Sequence, residues 1–190
     1  MNMLILGMVI FIGMHSVSIV APQWRNAVAA RIGEWPWKGI YAVVSIAGFL
    51  LLVHGYSDAR LTPLILYVPP AWMRHVAAVL LLPVFVLLLA AYLPGRIKMR
   101  AKHPMLLAVK LWATAHLLSN GTGADVILFG GFLAWAVVDR ISMNRRPARA
   151  IPGAPASQLN DVIAVIGGLA LYVLFAFRWH AALIGVAPFG

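Results

Sequence analysis

Long apolar stretches separated by short polar segments form the pattern of this chain. The stretches cover about residues 3–20, 38–57, 72–93, 104–119, 125–138 and 160–184. A transmembrane helix needs roughly 17 to 25 predominantly apolar residues, and these stretches reach or approach that length, whereas a soluble core would show shorter amphipathic runs. The pattern predicts an all-α polytopic membrane protein, a bundle of about six transmembrane helices in a single domain over residues 1–190.

Composition strengthens this prediction and narrows the chemistry. Hydrophobic residues make up 63% of the 190 residues, charged residues make up 11%, and mean hydropathy is +0.90. A soluble domain carries about 25% charged residues, more than twice as many. The chain contains no Cys, which excludes disulfides, thiolate nucleophiles and iron–sulfur clusters, so that a metal would need His, Met or oxygen ligands.

Basic residues are distributed unequally between alternate loops and predict the topology. Three of the 15 Lys and Arg residues fall on one side, at Arg60, Arg74 and Arg178, and Lys110 lies inside a span. The other eleven lie in the first, third and fifth loops: Arg25, Arg31, Lys38, Arg96, Lys98, Arg100, Lys102, Arg140, Arg145, Arg146 and Arg149. The positive-inside rule then places both termini outside the cytoplasm. The net charge of +10 is explained by these loops and by contact with anionic lipid, not by nucleic acid.

The first and third apolar stretches carry local signals. No basic residue precedes the first stretch, and the first one is Arg25, so we expect a retained helix and not a signal peptide, which needs a basic start. Pro83 lies inside the third stretch and predicts a kink, which membrane helices tolerate where neighbours satisfy the backbone.

Pairs of small residues at helical spacing predict close helix packing. Gly130 and Ala134 form one such pair in the fifth stretch, and Ala164 and Gly168 form another in the sixth. Small residues allow two helix backbones to approach each other in lipid. Packing within the chain and dimerisation are both compatible with the pattern, and we favour packing within the chain.

Two histidines inside the apolar stretches are the main functional candidates, because ionisable groups are costly in a membrane. His15 lies in the first stretch and His116 in the fourth. Neutral imidazole is a common ligand of iron, copper and zinc, and two such residues from different helices can hold a haem. The second ring nitrogen would then donate to an oxygen one turn away, on Ser18 or Asn120. The alternative is a structural histidine bonded to a neighbouring hydroxyl or carbonyl.

Depth along the helices leaves a competing metal site open. At 1.5 Å per residue, His15 lies about 18 Å from the outer end of its stretch, and His116 lies about 6 Å from the outer end of its own. His54 and His75 also fall near outer ends. A shallow site built from His54, His75 and His116 is therefore an alternative, with interfacial anchoring as the simpler role of the first two.

Other polar positions of the fourth stretch also fit a bound anion. Trp112 and Asn120 share a stripe with His116 at a spacing of four residues. His103 precedes Pro104 at the start of the helix, where it could contact an anionic group or cap the helix. Lys110 lies about 10 Å from the inner end, where it could pair with an anionic ligand group or extend its stem toward the interface.

Several function classes are disfavoured. The five acidic residues are Glu34, Asp58, Asp125, Asp139 and Asp161, all outside the spans or at their ends, so no carboxylate pair is available for acid–base catalysis. No phosphate-binding loop or GxSxG motif is present, and no inverted repeat of broken helices indicates a transporter.

The quoted stretches resemble one known family. Span four and its flanks read HPML at 103–106 and KLWATAHLLSNG at 110–121, and span five reads LFGGFLAWAVVDR at 128–140. The segments FIGMHS at 11–16 and PPAW at 69–72 match as well. Over nearly the whole chain these motifs are similar to the NnrU family of bacterial membrane proteins, which is related to the membrane domain of 15-cis-zeta-carotene isomerase.

The resemblance implies a haem b protein of the bacterial inner membrane, linked to nitrogen-oxide metabolism. In that membrane, the positive-inside rule gives periplasmic termini. Carried over by motif, the axial ligands are His15 and His116, and NO or a lipophilic molecule is the implied small-molecule partner. The position at which the isomerases can carry an alternative Cys ligand is Ala113 here. A haem-dependent isomerase of a lipophilic polyene and a non-enzymatic assembly factor for a membrane reductase remain alternatives. Lys102-His103-Pro104 is similar to the Arg-His-Pro motif of membrane methyltransferases. That function is disfavoured, because the pair of Glu residues that those enzymes carry late in the chain is absent here.

Overall fold

The computed structural model describes residues 1–146 and 153–189. Helices form nearly all of the described chain, and they are, in order, α1 (Asn2–Val20), α2 (Pro22–Ile32), α3 (Glu34–Ala59), α4 (Met73–Tyr92), α5 (Arg96–Ala101), α6 (Pro104–Ser119), α7 (Gly123–Asp125), a π-helical stretch (Val126–Gly130), α8 (Gly131–Ser142), α9 (Leu159–Leu174), a second π-helical stretch (Phe175–Trp179) and α10 (His180–Ile184). The expected all-α fold is confirmed. Arg149, counted above in the fifth loop, lies outside the described residues.

Four of the helical stretches are long and apolar enough to cross a membrane, namely Asn2–Val20, Glu34–Ala59, Met73–Tyr92 and Leu159–Ile184. Few of their residues are buried by the rest of the chain although they are apolar, as expected for helices surrounded by lipid. The fourth predicted span is the shorter apolar helix α6. The fifth predicted span falls in the continuous helical stretch formed by α7, the first π-helical stretch and α8. The chain is therefore a polytopic membrane protein.

Two compact units make up the chain. Unit 1 comprises Met1–Val68 and Gly121–Ser142, and unit 2 comprises Pro69–Asn120 and Met143–Gly190. Unit 1 contains α1 to α3 together with α7 and α8. Unit 2 contains α4 to α6 together with α9 and α10.

Glycines bring α1 and α3 of unit 1 into backbone contact. A Cβ atom built at Gly55 would overlap the backbone of Leu4, and one built at Gly7 would overlap the backbone of Leu52. At Gly48 a Cβ would lie 2.8 Å from the backbone nitrogen of Phe11. Since the hydrophobic effect does not hold apolar helices together in lipid, such close packing is a main source of helix association.

The first predicted loop is a helix. Arg25 and Arg31 lie in α2, which begins with Pro22 at a position where a missing N–H costs nothing. The Arg25 guanidinium donates to the Glu34 carboxylate at 2.9 Å and lies 5.7 Å from the ring centre of Trp37. Helix α3 begins four residues earlier than the predicted span, so that Trp35 and Trp37 lie within it.

Asp125 is buried in unit 1 although the sequence places it at a span end. The Tyr56 hydroxyl of α3 donates to its Oδ1 at 2.6 Å, and the Thr122 hydroxyl donates to its Oδ2 at 2.7 Å. The Asp125 N–H donates in return to the Thr122 hydroxyl at 3.3 Å, and the Thr122 N–H donates to Asp125 Oδ2 at 3.0 Å. This reciprocal capping box begins the helix and satisfies the carboxylate, so Asp125 has a structural role.

An extended segment closes the same end of unit 1. The N–H groups of Leu66 and Tyr67 both donate to the Gly121 carbonyl, at 2.8 and 3.1 Å, and the Gly123 N–H donates to the Leu64 carbonyl at 2.8 Å. Only glycine fits at position 121, because a Cβ there would overlap the Tyr67 carbonyl oxygen. The segment between α3 and α4 is thereby attached to the residues that precede α7.

In unit 2, α4 packs against both α6 and α9. A Cβ atom at Gly168 would lie 2.5 Å from the backbone nitrogen of Val86, and Ala164 is fully buried. The predicted packing of this pair within the chain is confirmed. The pair on the fifth span differs, because a Cβ at Gly130 would meet no atom of the described chain within 4 Å and Ala134 is exposed. Helix α4 continues through Pro83.

Helix α9 is antiparallel to α4, as its polar contacts show. At one end, the Asn160 side-chain amide donates to the Pro94 carbonyl at 2.8 Å. Next to it, the Asp161 carboxylate accepts from the backbone N–H groups of Arg96 and Ile97, at 2.8 and 3.0 Å, at the start of α5. Toward the other end, the Tyr172 hydroxyl donates to the Ala78 carbonyl at 3.1 Å.

The chain reverses after α10. Gly185 has a φ of 78°, a left-handed conformation in which glycine pays no steric cost and which commonly ends a helix. The His180 ring Nδ1 then donates to the Val186 carbonyl at 2.7 Å, and the rings of Phe177 and Phe189 stack at 5.3 Å. These contacts fold the segment 186–189 back onto the end of unit 2.

Candidate functional site

His15 lies among aromatic rings from three elements of unit 1. Its half-buried ring stacks on Phe11, one turn earlier in α1, with ring centres 4.2 Å apart. The centre of the Tyr41 ring of α3 lies 5.2 Å from the centre of the His15 ring. The centre of the Trp135 ring of α8 lies 5.9 Å from it, with the two ring planes at 90°. Three helices of the unit therefore fix the orientation of this imidazole.

The protonation of His15 follows from its hydrogen bond. Its Nδ1 lies 2.7 Å from the Phe11 carbonyl oxygen, which can only accept, so Nδ1 carries the proton and the lone pair of the neutral ring is on Nε2. Ser18, one possible source of this oxygen, does not supply it. The partner is a neighbouring carbonyl, which the alternative of a structural histidine also foresees. The carbonyl one turn earlier is already held at hydrogen-bonding distance by the helix itself.

His116 of unit 2 repeats this arrangement. Its Nδ1 donates to the Trp112 carbonyl, again four residues earlier, at 2.8 Å. The rings of Trp112 and His116 lie 5.4 Å apart, and His116 is half-buried in the last turn of α6. Asn120 does not supply the predicted oxygen to Nδ1. The neutral ring again carries its lone pair on Nε2.

His116 borders an apolar cavity of about 500 Å³ inside unit 2, a volume within the roughly 300–1,000 Å³ typical of small-molecule sites. Helices α4, α6, α9 and α10 and the segment 186–189 form its walls. Most of the lining is aliphatic or aromatic. The polar or ionisable residues of the lining are Arg74, Trp112, His116, Ser119, Asn120, Tyr172 and His180.

The predicted residues of α6 divide into two groups. Trp112, His116 and Asn120 line the cavity, whereas His103 and Lys110 do not. His103 lies at the N-cap position, but its side chain makes no capping hydrogen bond, so the predicted capping role is wrong. His103 is also thirteen residues from His116, about 20 Å along the helix. Lys110 is half-buried.

The described residues give no support to the shallow metal site. In residues 1–146 and 153–189, no group of three or more His, Asp or Glu side chains could hold a metal ion. His54 and His75 are exposed. Exposure is compatible with interfacial anchoring, the simpler role of these two residues.

Sequence reasoning missed two residues of the cavity. His180 lies inside the sixth predicted span, so the cost of an ionisable group in lipid, which selected His15 and His116, would also have selected it. Arg74 was counted only as a topology signal. Both line the cavity, and the His180 ring is oriented by its bond to the Val186 carbonyl.

One buried polar atom beside His15 has no partner among the described residues. The indole nitrogen of Trp135 is buried and makes no hydrogen bond there. An indole N–H is a donor only, and a buried donor without an acceptor costs about 1–3 kcal/mol. A bound group or a water molecule that offers an acceptor would remove this cost.

Fold and histidines together define a class: an all-helical polytopic membrane protein with oriented imidazoles inside its apolar helices. The family model described as "NnrU protein" matches residues 3–188. The chain belongs to the NnrU family. No curated protein and no solved structure matches it.

Proposed function

We propose that this protein binds haem b through Nε2 of His15 and of His116 and acts in nitrogen-oxide metabolism. The observation that carries the proposal is that each ring is held in the same way within its own helix. Each donates from Nδ1 to the carbonyl four residues earlier, which places the lone pair of the neutral ring on Nε2, the nitrogen that would bind a metal. Metal-binding histidines almost always have such a partner on the second nitrogen.

The donor set favours haem over a metal held by protein ligands alone. A structural zinc site needs four protein ligands and a catalytic one needs three, and the described residues offer no group of three. Haem needs only one or two axial ligands from the protein, because the porphyrin supplies the rest. When bound, haem would supply one-electron chemistry or a coordination position for NO or a substrate double bond.

The surroundings of each histidine support the same proposal. The aromatic rings around His15 hold its imidazole in an environment of low polarity, a factor that affects the reduction potential of a haem. The unpaired Trp135 indole N–H offers a donor to a bound group on that side. Around His116, the cavity offers room for a lipophilic molecule.

Absorption spectroscopy tests the proposal. We expect reduced-minus-oxidised difference spectra of detergent-purified protein, expressed with an ample haem supply, to show the bands of a b-type cytochrome. Haem should co-purify at about one per chain. Protein that is folded and monodisperse but contains no haem under these conditions would contradict the proposal.

A second candidate function is the haem-dependent cis–trans isomerisation of a lipophilic polyene. The apolar cavity beside His116 favours it, because such a substrate needs an apolar site next to the cofactor. Failure of the haem-loaded protein to isomerise any polyene in liposomes would count against it.

We further propose that the protein lies in the bacterial inner membrane with both termini on the periplasmic side. Because the chain has no Cys, single-cysteine variants test this directly. Thr62 and Met99 are both exposed, the first between α3 and α4 and the second in α5. A membrane-impermeant maleimide added to spheroplasts should label Thr62→Cys and should label Met99→Cys only after lysis. The reverse result would invert the topology.

A further inference from the structure

One end of the unit 2 cavity is polar and cationic. Arg74 lies in the first turn of α4, Asn120 directly follows α6, and His180 begins α10, and all three line the cavity. Because α9 is antiparallel to α4, α10 lies near the start of α4. The polar lining residues from three elements therefore converge at one end.

No acidic side chain of unit 2 is present at this end. Asp161 is the one acidic residue in the sequence of unit 2. It accepts hydrogen bonds from the N–H groups of Arg96 and Ile97, beyond the opposite end of α4. The 20 residues of α4 separate it from Arg74 by about 30 Å. No acidic side chain among the described residues of unit 2 therefore lies near Arg74, and its guanidinium is complementary to an anion.

The rest of the cavity is apolar, and the segment after α10 lines part of it. Small and aliphatic side chains of α4 and α6 form its sides, with Phe175 of the second π-helical stretch. The bond between the His180 ring and the Val186 carbonyl, together with Phe189, holds the segment 186–189 over the cavity. A hydrocarbon chain fits these walls, but it would leave the Arg74 charge without a partner.

We propose that this cavity binds a long-chain carboxylic acid, with its carboxylate at Arg74 and the Asn120 amide and its hydrocarbon chain along α4 and α6. The occupant is a single-chain acid, because a volume of about 500 Å³ with one cationic end suits one chain better than a two-chain phospholipid. The site is formed by unit 2 alone. The proposal goes beyond haem binding and does not require it.

Photolabelling tests the proposal on the full chain in phosphatidylcholine nanodiscs. The probe is palmitic acid carrying a diazirine, and labelled peptides are located by mass spectrometry. We expect labelling of peptides that line the cavity, with competition by palmitate but not by hexadecanol or phosphatidylglycerol. Equal competition by the alcohol or by the phospholipid would overturn the proposal. Because the proposed site needs no haem, haem-free protein should be labelled as well, and absence of labelling there would also overturn the proposal.

Variants identify the anion partner. Arg74→Gln should weaken competition by palmitate about tenfold, a factor that corresponds to about 1.4 kcal/mol, and Arg74→Lys should restore most of it. Arg178→Gln is the matched control, because Arg178 is exposed in the neighbouring π-helical stretch and does not line the cavity. Ala78→Trp, which fills the cavity, should abolish labelling in protein that remains monodisperse. Unchanged labelling in both Arg74→Gln and Ala78→Trp would show that the acid binds elsewhere.

Discussion

Haem should be lost when either intramembrane histidine is replaced. We expect His15→Ala and His116→Ala each to lower the haem retained per purified chain about tenfold or more, since even changes to the partners of metal ligands reduce affinity by roughly 10- to 100-fold. Each ring donates from Nδ1 to a helix carbonyl, so its removal takes away the one nitrogen that could bind the metal. The measurement is haem content per chain by the pyridine haemochrome assay.

His54→Ala is the matched control for this loss. His54 also lies in an apolar helix, but its side chain is exposed, and we expect this variant to retain haem at the wild-type level. Equal haem loss in all three variants would indicate general destabilisation, and the assignment of His15 and His116 as haem ligands would lose its support. Full haem retention in both His15→Ala and His116→Ala would contradict it outright.

One added methyl group at Gly55 should separate α1 from α3. A Cβ there would overlap the Leu4 backbone, and neither helix backbone can move without losing the contacts at Gly7 and Gly48. We expect Gly55→Ala to lower stability by about 2–3 kcal/mol, near the upper end of the range for overpacked sites. Because α1 carries His15, haem retention should fall as well. The measurement is the free energy of unfolding, or the midpoint of thermal aggregation, in detergent.

Gly39 provides the control in the same helix. A Cβ at Gly39 would meet no described atom within 4 Å, and Ala favours a helix over Gly by up to about 1 kcal/mol. Gly39→Ala should therefore be neutral or stabilising. If Gly55→Ala were as stable as Gly39→Ala, the close approach of α1 and α3 would not exist in the protein.

The positions of the helices were predictable because hydropathy along the chain reports directly on exposure to lipid. Charge was a poorer guide to local structure. Arg25 and Arg31 indicated a loop, yet α2 forms there, because charged residues do not prevent a helix and the Arg25 side chain has partners in Glu34 and Trp37. The two π-helical stretches, 126–130 and 175–179, leave no trace in an apolar pattern.

The histidines were predictable and their partners were not. The cost of an ionisable group in lipid selects His15 and His116 from the sequence alone. The partner of Nδ1 depends on side-chain direction, and in a helix side chains point toward the preceding turn, which favours the carbonyl four residues earlier over Ser18 or Asn120. The burial of Asp125 depends on Tyr56, 69 residues away in sequence, a contact that no local pattern contains.

The cavity of unit 2 could not be predicted, because it depends on the packing of helices that are distant in sequence. Arg74 and His180 come together only because α9 runs antiparallel to α4 and because the chain reverses at Gly185. Each of these residues has an ordinary interpretation when it is considered alone, and only their shared cavity indicates a ligand.

Electron paramagnetic resonance of the ferric, haem-loaded protein tests the central claim most directly, because the spin state reports on the axial ligands. With His15 and His116 as the two ligands, we predict a low-spin signal in the wild type and a high-spin signal in whatever haem His15→Ala and His116→Ala retain. A low-spin signal that persists unchanged in both variants would contradict the account, since the iron would then be held by other residues.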